Sequence, residues 1–180
     1  MNPTNQHTIL PISFPVDLVG ITKEATVIED LSDIESFKYK VRFEDGTEDV
    51  FTIIEGPEIL IEPGDPGHEH YANALLKDLY ILSSIEPGVF FYMLPMQLAT
   101  DLVNVWLVEM EPRISEKECI SISYNQKIQF ELFLTNDEKG WRYRGMNGPL
   151  TIAEKRLAND LTATMETIRN AIQFLRPPKL

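Results

Sequence analysis

The stretch Phe37-Lys38-Tyr39-Lys40-Val41-Arg42-Phe43 alternates without a fault, with Phe37, Tyr39, Val41 and Phe43 on one side and Lys38, Lys40 and Arg42 on the other. A period of two marks a strand with one buried and one wet face, because successive side chains of an extended backbone point to opposite sides. Asp45-Gly46 follows and suits a tight hairpin turn. A two-residue turn there predicts Val41 opposite Val50, Phe37 opposite Ile54 and Arg42 opposite Asp49, so apolar pattern and charge point to one register.

Working outward, Val16 to Ile21 and Ala25 to Leu31 read as shorter strands before this hairpin, and Glu58 to Glu62 as one after it, closed by Pro63-Gly64. Asp65-Pro66 is a helix start: aspartate accepts a bond from a free first-turn amide, and proline's fixed φ suits the first helical position. The spacing of Ala72, Leu75, Leu76, Leu79 and Leu82 predicts a helix over about 66–84, ended by Glu86-Pro87-Gly88. Val89 to Leu94 and Val103 to Met110 are apolar on both faces and read as buried strands, with Pro95 to Asp101 open between a helical turn and a loop.

Cys119 to Tyr124 and Ile128 to Leu134 form a second hairpin, with Ile120, Ile122, Tyr124, Ile128, Phe130, Leu132 and Leu134 facing inward. A three-residue loop through Lys127 would pair Ile122 with Phe130 and Ile120 with Leu132, so the longer turn is expected. Trp141 to Arg144 continues the inward face through Trp141 and Tyr143. From Pro149 to Leu175 the period becomes helical, with Leu157, Leu161, Met165, Ile168, Ile172 and Leu175 in one stripe and Pro177-Pro178 as the stop. That stripe either covers the sheet face carrying Ile122, Phe130, Leu132 and Tyr143 or pairs with its copy in a homodimer.

The fold class that follows is α+β: a largely antiparallel sheet built from hairpins, with a central helix (about 66–84) and a long C-terminal helix (about 150–175) packed on it. No sequence repeat and no low-complexity linker interrupts this order, so residues 1–180 are expected to form a single domain, with 55–66 the candidate boundary between subdomains.

With 43% apolar and 24% charged residues, 180 residues are enough for a core without disulfides or a structural metal, and disordered and fibrous classes are excluded. Cys119 is the one cysteine, which excludes an intrachain disulfide and a cysteine-based zinc site and agrees with a reducing, cytoplasmic setting. No basic residue precedes Lys23, so the basic-then-apolar layout of a signal peptide is missing. Apolar runs such as Val89 to Met96 fall well short of the roughly 20 residues of a membrane-spanning helix, and no membrane partner is expected. The net charge of −12 repels phosphate at long range and argues against nucleic acid. Asp17 to Asp65 holds 14 acidic and 4 basic residues, net −10, so the acidity belongs to the N-terminal third.

Three groups of residues carry candidate chemistry. Asp65, His68 and His70, with Glu62 and Glu69 close by, are ligand types that suit zinc, manganese or iron. On a helix, however, His68 and His70 would point about 200° apart, so one ion needs a non-helical first turn. Lys38, Lys40 and Arg42 project from one strand and Arg142 and Arg144 from another, and if those strands were neighbours a basic stripe would offer forks to a carboxylate or phosphate. Cys119 has no histidine placed beside it by the sequence, and no phosphate loop, GxSxG elbow or HExxH is present, so no catalytic residue is assigned. The expectation is a small, acidic, non-enzymatic binding or adaptor protein that meets a protein partner through its acidic N-terminal third or its sheet face. The alternative is a metal-dependent enzyme or small-ligand or anion-binding domain using Asp65, His68 and His70 or the basic stripe. No cofactor other than that metal is implied.

Overall fold

A computed structural model of the chain describes residues 10–86, 88–137 and 139–175, with side chains described as far as residue 171. Among the described residues, ten strands form two antiparallel five-stranded sheets and two α-helices accompany them, an α+β arrangement dominated by sheet. The chain divides into two compact units, 1–88 and 89–180, so the segment 55–66 lies inside the first. Both units follow one plan, a five-stranded meander and then a helix, although no repeat is legible in the sequence. A meander needs only nearest-neighbour hairpin connections, which many unrelated sequences satisfy.

The first unit orders its strands β1 (Ile12–Leu18), β2 (Ile21–Asp30), β3 (Phe37–Phe43), β4 (Glu48–Ile54) and β5 (Leu60–Pro63). Val19 and Gly20, with φ of 51° and 85°, make the two-residue turn that the expected strand Val16 to Ile21 ran through. The β3–β4 hairpin corrects the expected register by one residue. The Phe43 N–H donates to the Thr47 carbonyl and the Gly46 N–H to the Phe43 carbonyl, each at 2.9 Å, so the loop has three residues, Glu44, Asp45 and Gly46. Gly46 takes φ +83°, a left-handed value that costs glycine nothing, and the Asp45 carboxylate accepts the Thr47 amide and hydroxyl at 2.9 and 2.6 Å. Tyr39 therefore faces Phe51, Phe37 faces Ile53, Arg42 faces Glu48 and Val41 faces Asp49. Because side chains alternate, that single step sends Phe51 and Ile53 into the core in place of Val50 and Ile54, and turns Asp49 to the inner face.

The segment Pro66–Tyr71 is a 3-10 helix, not the first turns of an α-helix, and α1 proper spans Ala72–Ser84. Its expected stripe Ala72, Leu75, Leu76, Leu79 and Leu82 is buried throughout, and α1 lies against β1, β4 and β5. Pro87, part of the expected stop, lies outside the described residues.

The second unit orders β6 (Phe91–Leu98), β7 (Asp101–Met110), β8 (Glu116–Tyr124), β9 (Lys127–Thr135) and β10 (Trp141–Gly145), followed by α2 (Ile152–Leu175). Residues 95–98, left open by the sequence, extend β6, which is an edge strand and so can hold Pro95; only one of its faces is consistently covered. The β8–β9 turn is Asn125-Gln126, both at positive φ, so Tyr124 pairs with Lys127 and the loop is shorter than expected. A one-residue irregularity between Ile122 and Ser123 then restores the expected pairs Ile122 with Phe130 and Ile120 with Leu132. Ile128 lies before that correction and stays 39% exposed, against the inward position expected of it.

The helix stripe closes this unit from within. Leu157, Leu161, Met165 and Ile168 share one buried cluster with Ile122, Phe130 and Leu132, flanked by Trp141 and Tyr143. Thr151 and Glu154 start α2 with reciprocal bonds, the Glu154 carboxylate accepting the Thr151 amide at 2.6 Å and the Thr151 hydroxyl accepting the Glu154 amide at 3.2 Å. The side chains of Ile172 and Leu175, and Pro177-Pro178, lie outside the described residues. Leu161 is wholly buried, so Leu161→Ala is expected to cost roughly 2 to 5 kcal/mol. Chemical denaturation at two protein concentrations checks it: the loss should be the same at both, whereas a stability that falls on dilution would indicate a helix packed on a second copy.

Candidate functional site

The His68 imidazole is half-buried beside β4, where its Nδ1 lies 3.0 Å from Asp49 Oδ2. Asp49 is a carboxylate on the inner sheet face with 8% of its side chain exposed. Besides the ring it accepts two backbone N–H donors: Val50 N–H at 2.7 Å, and Asp65 N–H shared between its two oxygens at 3.2 and 3.1 Å. Burial pushes this carboxyl up, but the Asp65 amide, the His68 ring and the Val50 amide together hold it below the ordinary aspartate value. The Asp65 carboxylate faces the other way and caps the 3-10 helix by accepting the Gly67 amide at 2.8 Å. His70 is exposed and its ring sits 4.3 Å from that of Tyr71, which stacks on Phe43 at 4.1 Å. Asp65, His68 and His70 are thus engaged with three different partners, and among the described residues no group of three or more His, Cys, Asp or Glu side chains is arranged to hold a metal ion.

The strands that carry the basic residues belong to different sheets. β3 pairs with β2 and β4 in the first sheet, and β10 pairs with β9 at the edge of the second, so the two strands are not neighbours within a sheet. The first three are also partnered: Lys40 and Arg42 reach Glu48 at 2.9 and 2.6 Å, and Lys38 reaches Asp33 at 3.6 Å. Arg142 is exposed on β10. Arg144 is clamped by two buried carboxylates, donating from Nε to Glu131 at 2.6 Å and from Nη1 to Glu116, with its guanidinium carbon 4.6 Å from the centre of the Phe133 ring. The hydrogen bond from Arg144 holds the Glu116 carboxyl below its usual range against the opposing effect of burial. Arg144 also approaches Cys119 Sγ at 3.6 Å, yet burial pushes that thiol up, so it stays protonated and is a poor nucleophile.

A further group of exposed residues lies at one end of the first sheet. In an antiparallel meander the end of β2, the start of β3, the end of β4 and the start of β5 fall together, as the pairs Asp30 with Tyr39 and Ile54 with Leu60 require. Two loops, 31–36 and 55–59, cap this end. The first is built by side chains on its own backbone: Asp33 Oδ1 accepts the amides of Glu35 and Ser36, both at 2.9 Å, and Ser32 Oγ accepts that of Lys38 at 3.0 Å. The result is an Ile34 that is fully in solvent, with Leu31 at 39% and Leu60 at 55% exposure near the same end. Glu29, Asp33, Glu35, Glu55 and Glu58 are exposed around them. Sequence reasoning found the acids and missed both the apolar residues among them and the inward Asp49, because each depends on loop placement and register rather than on residue type.

Among the described residues, no helix is long and apolar enough to cross a membrane. No protein family, curated protein or solved structure matches the chain.

Two outcomes follow from these geometries. His68→Ala is expected to lower stability by about 1 kcal/mol, since it removes a partner of a carboxylate that is nearly out of water. Thermal melts in a chelator and in zinc should show the same loss; a loss confined to zinc would return these residues to a metal. Arg144→Met leaves Glu116 and Glu131 without their main cation and is expected to cost about 3 kcal/mol at neutral pH. Because the folded carboxyl titrates below its unfolded value in the parent, the pair's contribution is complete above about pH 5 and is lost as the pH falls through the depressed value. Denaturant titrations should therefore show the gap between parent and variant narrowing on acidification, and a gap that ignores pH would contradict the assignment.

Proposed function

We propose that the chain is a non-enzymatic binding or adaptor module whose first unit holds a basic amphipathic segment of a protein partner at the sheet end capped by loops 31–36 and 55–59. The observation that carries this reading is the placement of Ile34, Leu31 and Leu60 in solvent among Glu29, Asp33, Glu35, Glu55 and Glu58. A scattered exposed leucine is ordinary on any surface, but apolar side chains at a sheet end where exposed acids outnumber the one base, Lys38, match a segment that alternates apolar and basic residues. The compensation elsewhere supports it too: three of the four bases between Asp17 and Asp65 are held by just two acids, Glu48 and Asp33, so the surplus of negative charge survives folding. A cytoplasmic setting belongs to the same proposal and rests on the single, unpaired Cys119.

The alternative, a metal-dependent enzyme or a small-ligand or anion-binding domain, has less behind it: Asp65, His68 and His70 each engage a different partner, and Lys38, Lys40, Arg42 and Arg144 are ion-paired within the fold.

A labelled cationic amphipathic peptide, followed by fluorescence anisotropy, tests the proposal. Affinity is expected to fall roughly tenfold or more as salt is raised past the physiological range, because exposed charges are screened over about 8 Å there. The double variant Glu55→Lys, Glu58→Lys and the single variant Ile34→Ser should each weaken binding. Binding that ignores both salt and these substitutions would overturn the assignment.

A further inference from the structure

Asn147-Gly148 lies in the loop between β10 and α2 of the second unit, and both residues are exposed. We propose that Asn147 is a site of spontaneous deamidation, converting within the folded chain to a mixture of isoaspartate and aspartate.

The chemistry needs only the chain and water. The Gly148 backbone nitrogen attacks Asn147 Cγ, the new C–N bond closes a succinimide ring, and the side-chain nitrogen leaves as ammonia with the proton given up by the backbone amide. Water then opens the ring at one of its two carbonyls. Opening at the backbone carbonyl leaves the chain running through the side-chain carbon, which is isoaspartate; opening at the side-chain carbonyl leaves ordinary aspartate. Either way one water enters, one ammonia leaves and nothing is oxidised or reduced.

The surroundings of the reacting atoms favour this step. Gly148 takes φ +111° and a Cβ built on it would meet nothing within 4 Å, so no side chain crowds the attacking residue. Among the described residues no hydrogen bond engages the Asn147 side chain or the Gly148 N–H: the Met146 amide is the last before them, bonded to the Gln129 carbonyl, and the Thr151 amide the first after them, bonded to Glu154. Neither partner must therefore break a bond to reach the attacking geometry, as expected of a loop whose local opening costs little. The chain offers its own contrast. Asp45-Gly46 is its other aspartate or asparagine followed by glycine, and there both reacting groups are tied, the carboxylate by the Thr47 amide and hydroxyl and the Gly46 N–H by the Phe43 carbonyl. Conversion at residue 147 also has a structural consequence. The Gly148 carbonyl oxygen lies 2.1 Å from where a Cβ of Gly145 would stand, so the loop folds closely on itself, and isoaspartate inserts a backbone carbon between these two glycines.

Incubation of the intact chain in neutral buffer made with heavy-oxygen water, then digestion with trypsin in ordinary water, tests the proposal by mass spectrometry. Trypsin cuts after Arg144 and Lys155, so Asn147 is read in the peptide 145–155. That peptide is expected to take up heavy oxygen and to separate into two isomers, one of them a methyl acceptor for an isoaspartyl carboxyl methyltransferase, at a rate comparable to that of the same peptide made synthetically. The peptide 43–77, which carries Asp45, should gain isoaspartate far more slowly in the folded chain than as a free peptide. Asn147→Gln should abolish the uptake in 145–155 while the amide spectrum remains that of the parent fold. A folded chain in which 145–155 stays unchanged while the synthetic peptide converts would overturn the proposal, as would uptake that survives Asn147→Gln.

Discussion

The Asp49 carboxylate gathers the Val50 amide, the Asp65 amide and the His68 ring at a point nearly closed to solvent, and the first unit is organised around it. It ties β4 to the start of the 3-10 helix that leads into α1, so the helix enters at a place fixed by one acid on a strand. The surroundings allow little else there. A Cβ on Gly64 would sit 2.7 Å from Asp49 Oδ1, closer than such atoms approach, so the chain must be bare at that position to bring Asp65 within reach. An aspartate can occupy this inner position because its burial is offset by donors on several sides, the condition under which a buried charge is tolerated.

That position was not legible from local sequence because it depends on one residue of loop length. Asp45-Gly46 permits both a two-residue and a three-residue hairpin, and the alternation in β3 is the same in each. The longer loop is selected by contacts beyond the pattern: Asp45 on Thr47, Glu48 shared by Lys40 and Arg42, and two apolar cross-strand pairs, Tyr39 with Phe51 and Phe37 with Ile53. The strands and both apolar helix stripes were readable, since periodicity records burial directly. In the second unit the same kind of ambiguity was resolved the other way, by a short turn followed by a one-residue irregularity that recovers the expected pairing.

The candidate chemistry divides along the same line. Residue types marked Asp65, His68, His70, Lys38, Lys40, Arg42, Arg142 and Arg144, but type alone does not say whether a charge faces a ligand or a neighbour. Folding spends most of these groups on neighbouring acids: Asp49 takes His68, Glu48 takes Lys40 and Arg42, and Glu116 with Glu131 takes Arg144. On the proposed reading, the surface offered to a partner is the surplus of acid together with the apolar residues that the meander brings to one end.

Cross-strand nuclear Overhauser contacts in the β3–β4 hairpin test the central claim most directly, since everything said of Asp49 depends on its register. The account predicts contacts joining Tyr39 with Phe51 and Val41 with Asp49, and close approach of the Asp49 side chain to the His68 ring. Contacts joining Val41 with Val50 and Phe37 with Ile54 would place Asp49 on the outer face and contradict it.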